Sequence, residues 1–182
     1  MSPIRADAAR SRERILEVAR AHDDVHNLRL NDIAREAGVG VGTVYRHFPT
    51  VHALVEALTA DTIDRMVDVS RRALAERDAG AAFTFYLRSA LDLQLEDGGL
   101  QAVLLSPDDE ADEVRAAKRE IFEAFSTVLG RAQQNGAVRE DVTLDRLSHL
   151  VCGIEYAVRL GTPADRAPLL EIILTGLRPA RL

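Results

Sequence analysis

The sequence predicts an all-α protein of about nine helices. Two observations predict it. Apolar residues recur at steps of three and four almost throughout, and no stretch keeps the strict apolar/polar alternation of a half-buried strand. Residues that start and stop helices fall between the apolar stripes.

From Arg10 to about Ala21, the residues Ile15, Leu16 and Ala19 make one apolar stripe. Val114, Ala117, Ile121, Phe125, Val128 and Ala132 make a second, and Leu147, Leu150, Val151, Ile154, Val158 and Gly161 a third. Ser106-Pro107-Asp108-Asp109 reads as a helix start, with a cap, a proline at the first position and two acids for the positive end of the dipole. Thr162-Pro163-Ala164-Asp165 repeats the pattern and opens a last helix carrying Leu169, Leu170, Ile173 and Leu177. Gly98-Gly99 and Asn135-Gly136 read as helix ends or turns. Glu155 and Arg159 read as a surface pair one turn apart.

With 47% apolar and 29% charged residues, the chain has the composition of a folded protein rather than a disordered one. No apolar run approaches the ~20 residues of a membrane-spanning helix, and the start Met1-Ser2-Pro3-Ile4-Arg5 lacks a secretory signal, so a cytoplasmic protein without a membrane partner is expected. The single cysteine, Cys152, has no partner for an intrachain disulfide and reads as inert core. A net charge of −6 at first argues against nucleic acid. The charge is unevenly spread, however: residues 1–52 carry eight arginines against seven acids, and the acidic excess lies in the remainder. A mildly basic head is compatible with DNA.

The segment with most chemistry runs from Leu30 to Phe48. Two short helices cross closely only if the first carries a small inward residue, the turn tolerates a positive φ and the second presents a branched residue inward. Ala34, Gly38 and Val44 meet those needs, and Ile33, Ala37, Val39 and Phe48 complete a helix-turn-helix core. On the second helix Val44 and Phe48 are one turn apart and face inward, which leaves Thr43, Arg46 and His47 outward, flanked by Val41, Gly42 and Tyr45. Hydroxyl, phenol, guanidinium and imidazole groups on an exposed helix suit phosphate oxygens and base edges.

These residues resemble the TetR family of one-component regulators: Ile33-Ala34, Ala37-Gly38-Val39 and Gly42 to Phe48, followed by Thr50 and Ala53-Leu54. The segment Gly153 to Gly161 and the run Gly176-Leu177-Arg178-Pro179 look like the family's closing helices. The resemblance implies a helix-turn-helix DNA-binding domain over residues 1–52 and a ligand-binding, dimerising bundle over 53–182. It also implies that Thr43, Tyr45 and His47 contact phosphates and that Val41 and Gly42 lie nearest the bases. Where the family usually places Lys or Arg beyond the recognition helix, this chain has Val51 followed by His52; Thr50 and His52 are therefore counted with the DNA-contacting set. Arg29 stands where the family usually caps the second helix with Thr.

The expected function is a ligand-responsive transcriptional regulator, a repressor that binds a palindromic operator as a homodimer and is released by a small molecule. Pairing is expected through Leu147, Val151, Ile154, Val158, Leu170, Ile173 and Leu177 of the last two helices. The alternative is a helical small-molecule binder or scaffold that has lost specific DNA binding. No catalytic constellation, cofactor or metal is expected. His22 and His26 have ligand spacing around Asp23-Asp24, but a solvated helix end is the simpler reading, and Gly38-Val39-Gly40-Val41-Gly42 has neither the strand nor the lysine of a phosphate loop. His149, Cys152 and Tyr156 share a helix face that reads as packing surface.

Overall fold

The computed structural model describes residues 3–22 and 25–179. Ten α-helices and two short 3₁₀ turns make up the described chain, and no strand occurs among these residues. The helices are α1 (Pro3–Arg20), α2 (Leu30–Glu36), α3 (Val41–His47), α4 (Val51–Leu58), α5 (Ala60–Ala75), α6 (Ala79–Glu96), α7 (Gly98–Leu105), α8 (Asp112–Gln134), α9 (Leu144–Leu160) and α10 (Arg166–Gly176). None of them is long and apolar enough to cross a membrane.

The chain divides into two compact units, residues 1–61 with 98–115, and residues 62–97 with 116–182. The first unit is thus larger than the 1–52 head expected from sequence, because α4 packs on α7. In this unit α1 lies against α2, α3 and α4. Ile15, Leu16 and Ala19, the stripe expected on the first helix, are buried together with Ile33, Ala34, Val44, Phe48 and Leu54. A single core therefore fixes the direction in which α3 points.

Gly98 and Gly99, expected at a helix end or turn, lie just past the end of α6 at Glu96 and open α7, where first-turn amides have no helical partner anyway. The Ser106-Pro107 start is displaced in a similar way. Ser106 Oγ accepts from Asp108 N at 3.2 Å in a local turn, and α8 begins only at Asp112. The reason lies on α4: Glu56 takes the Glu110 and Ala111 amides at 2.8 and 3.0 Å, and so acts as the cap that sequence assigned to Ser106.

In the second unit α6 packs on α9, and α9 on α10. The Tyr86 and Phe125 rings stack with centroids 4.4 Å apart, and burial pushes the Tyr86 phenol well above its usual range, so that it stays neutral. Asn135-Gly136 ends α8 as expected, with Gly136 at φ +71° and Ala137 N donating to Ala132 O at 2.9 Å. Thr162-Pro163 also starts a helical turn as expected: the Thr162 amide and hydroxyl donate to Asp165 Oδ2 at 2.8 and 2.9 Å, and α10 follows.

The expectation for pairing needs correction. Leu147, Val151, Ile154, Val158, Leu170 and Leu177 are buried in their own chain and Ile173 is half-buried. The apolar residues displayed on the same helices are Leu150, Tyr156, Leu160 and Ile172, with Tyr156 65% and Leu160 72% exposed. The Glu155–Arg159 pair is corrected too: Glu155 is buried, and Arg159 bonds both it, at 2.5 Å, and the Gln94 carbonyl, at 3.1 Å. His149 and Tyr156 are exposed and Cys152 is half-buried.

Candidate nucleic-acid interface

The geometry of the candidate interface begins at the turn between α2 and α3. Gly38 adopts φ +63°, which a β-carbon would strain, and this lets Val39 N reach back to Ala34 O at 3.0 Å. Ala34 is fully buried, so α3 can cross close over it. Gly40 is extended and opens α3, with Thr43 N donating to its carbonyl at 2.8 Å. At the far end Phe48 leaves the helix in an extended conformation, and Thr50 caps α4 by accepting from Ala53 N at 3.0 Å. Arg29 precedes α2 without any side-chain cap, as the loss of the usual threonine implies.

Four stripes one turn long divide α3. Val44 and Phe48 are buried, at 0% and 2% exposure, and the Arg12 guanidinium lies over the Phe48 ring 5.5 Å from its centre. Val41 and Tyr45 are each 47% exposed, and Gly42 and Arg46 are also exposed. Thr43 and His47 are half-buried at the flank. The outward surface is therefore centred on Val41, Gly42, Tyr45 and Arg46. The apolar spacing alone places the centre on Thr43, Arg46 and His47, a rotation of roughly one residue about the axis.

Gly42 is informative because a β-carbon built there meets nothing within 4 Å. No neighbour among the described residues requires a glycine at this position. The first turn of α3 consequently offers a bare backbone to whatever approaches from outside.

The core residues named from sequence are together here: Ile33, Ala34 and Ala37 are buried with Val44 and Phe48, Gly38 makes the turn and Val39 is half-buried. Thr50 is exposed and donates to Glu110 Oε1 at 3.1 Å. His52 departs from expectation. Its Nε2 is shielded from solvent, 3.2 Å from Glu56 Oε1 and 3.9 Å from Asp109 Oδ1, so its ring faces an acidic pair rather than a duplex. Sequence reading missed Glu56 and Asp109, although the i,i+4 spacing of His52 and Glu56 on one helix was visible. Of the other histidines weighed, His22 Nε2 lies 2.9 Å from Glu36 Oε2, while Asp23, Asp24 and the His26 side chain lie outside the described residues.

Comparison with known proteins agrees with this geometry. The family described as "Bacterial regulatory proteins, tetR family" matches residues 15–58, and "Transcriptional regulator SbtR-like, C-terminal domain" matches residues 78–179. An HTH-type transcriptional regulator of Staphylococcus aureus is 46% identical over 48 residues, which span 25% of this chain and only 26% of that protein. A TetR transcriptional regulator from Streptomyces coelicolor superposes with a TM-score of 0.53 at 32% identity, over 93% of this chain and 99% of its own. LfrR from Mycobacterium smegmatis, solved in complex with proflavine, does so with a TM-score of 0.56 at 28% identity, over 93% and 94%. The buried α2–α3 core, the outward face of α3 and matches reaching from residue 15 to residue 179 lead to one conclusion: the chain belongs to the TetR family of DNA-binding transcriptional regulators.

Proposed function

We propose that the chain is a repressor that binds a palindromic operator as a homodimer and leaves it when a small molecule binds the second unit. The observation that carries the reading is the outward face of α3, where Val41, Gly42, Tyr45 and Arg46 are exposed directly above buried Val44 and Phe48. An open Gly42 lets the helix start come close to base edges. Thr43, Tyr45 and His47, with Thr50 beyond the helix, supply donors for phosphate oxygens, and Arg46 adds charge. His52 is not part of this set. The work is done in the cytoplasm, where the chromosome is.

Pairing is supported by Leu150, Tyr156, Leu160 and Ile172, apolar side chains left in water on α9 and α10. Two copies joined there would carry two α3 helices to half-sites one helical turn, ~34 Å, or more apart. Response to a small molecule is supported by a cavity of about 560 Å³ in the second unit, lined in part by Phe83, Thr84, Arg88, Glu171 and Leu174. Such a molecule acts only through a difference in affinity between DNA-competent and DNA-free arrangements. The proflavine complex of LfrR is a precedent in a relative.

A fluorescence-anisotropy titration with the duplex upstream of the chain's own gene tests the proposal. Specific binding that weakens steeply with salt is expected. Equal binding to unrelated DNA, or none at low salt, would contradict it and favour a scaffold that has lost its operator.

A further inference from the structure

Outside the face of α3, the first unit holds a cluster whose chemistry DNA contact leaves unexplained. His52 and Glu56 are one turn apart on α4, and Asp109 reaches them from the segment between α7 and α8. One ligand atom from each lies within 4.8 Å of the others. The imidazole Nε2 is 3.2 Å from Glu56 Oε1 and 3.9 Å from Asp109 Oδ1, yet it is shielded from water and makes no hydrogen bond. A ring nitrogen shielded from water between two carboxylates and without a hydrogen bond sits where a cation would be stabilised.

We propose that His52, Glu56 and Asp109 bind one divalent transition cation of the zinc class. Bond lengths of about 2.1 Å in a tetrahedral site put neighbouring ligand atoms about 3.4 Å apart, and the two distances to Nε2 bracket that value. One imidazole with two carboxylates suits zinc and its neighbours better than calcium or magnesium, which take oxygen ligands. The ligands are already oriented. Glu56 is 3% exposed, and the Glu110 and Ala111 amides hold its two oxygens, each of which keeps a lone pair for the ion. Arg115 Nη1 donates to the Asp109 carbonyl at 2.6 Å and fixes the backbone of the third ligand. Three protein ligands leave a fourth position for water.

The ion would fasten the start of α4 to residues 109–111, the segment to which Thr50 also bonds. Thr50 follows α3 by three residues, so the site lies directly behind the recognition helix in the chain. This inference does not depend on any effector or on the oligomeric state.

The test is to strip the full-length chain with a chelator and titrate it with Zn²⁺ against a chromophoric competitor, and separately with Co²⁺ followed by visible absorption. One ion per chain is expected, with ligand-field bands for Co²⁺ and a higher unfolding midpoint with Zn²⁺. His52→Ala and Asp109→Asn should each weaken affinity by more than about tenfold and abolish the midpoint shift, since even outer ligand partners matter at that level. His22→Ala, which removes the His22–Glu36 pair, should change nothing. Circular dichroism establishes that each variant is folded. No stoichiometric uptake by the native chain, or unchanged affinity in folded His52→Ala and Asp109→Asn, would overturn the proposal and leave an ion pair only.

Discussion

Neighbouring residues on α3 should fail in opposite ways. Val44 is fully buried, so Val44→Ala removes two methyl groups from water-free packing, a transfer loss of ~1.6 kcal/mol. The incompletely collapsed cavity adds ~1 kcal/mol, giving a destabilisation of about 2 to 3 kcal/mol for the first unit. Tyr45, one position on, is half exposed. Tyr45→Ala gives up part of a packed ring but gains ~0.5 kcal/mol of helix propensity, so stability should change by less than about 1 kcal/mol. Affinity for DNA should behave in reverse. One phosphate hydrogen bond lost from each of two protomers, at ~1 kcal/mol apiece, is a roughly thirtyfold weakening for Tyr45→Ala. The phenol is uncharged, so the slope of log affinity against log salt should not move, whereas Arg46→Ala should flatten it by about 0.9 per phosphate contact. Urea denaturation followed by circular dichroism gives the first quantity, and anisotropy with operator DNA the second. If Tyr45→Ala unfolds as readily as Val44→Ala, or binds DNA as tightly as the native chain, the orientation assigned to α3 is wrong.

Three further outcomes follow from individual contacts. Glu56→Ala leaves two amides without an acceptor and should cost about 2 to 4 kcal/mol in chemical denaturation, after allowing for the carboxylate's own burial; Glu56→Gln keeps one acceptor oxygen and should lose less. Gly38→Ala should cost about 1 kcal/mol in the same assay through its positive φ, because the nearest atom to the new β-carbon is only the tip of Arg14, 3.4 Å away. Hydrogen bonds from the Thr162 amide and hydroxyl hold the Asp165 carboxyl below its ordinary value of 3.8. The folded form is the one with the depressed value, so this contribution is complete above 3.8 and disappears as pH falls through the lower folded midpoint. NMR titration of the carboxyl and of the Thr162 amide should give one shared midpoint below 3.8; a midpoint at or above that value would refute the contact.

The helix-turn-helix was legible because its determinants are local. Ala34, Gly38 and Val44 lie within eleven consecutive residues, and a turn that needs a positive φ announces itself by its glycine. The rotation of α9 was not legible to the same depth. Leu147, Val151, Ile154 and Val158 form an apolar stripe, and Leu150, Tyr156 and Leu160 are further apolar residues of the same helix outside it. Which side turns inward is decided by α6, which packs against α9 from far earlier in the chain, and by α10, which folds back on it. The outward face of α3 shifted for a related reason: seven residues make two turns, and the burial of Thr43 and His47 depends on neighbours outside the helix.

The start of α8 failed on another ground. Ser106-Pro107-Asp108-Asp109 satisfies every local rule for a helix start, yet Glu56, more than fifty positions earlier, takes the Glu110 and Ala111 amides, and the helix begins beyond them at Asp112. Long-range capping leaves no local signature. The same distance hid Asp109 from His52, although the His52–Glu56 half of the cluster could be read from one turn of helix.

The central claim is that α3 meets the duplex with the side opposite Val44 and Phe48, twice, in two paired copies. Hydroxyl-radical footprinting on the operator measures this most directly. The account predicts two protected patches related by symmetry and separated by about one helical turn or a small multiple of it, both lost in the folded Tyr45→Ala, Arg46→Ala double variant. One unpaired patch, or two that persist in that variant, would contradict it.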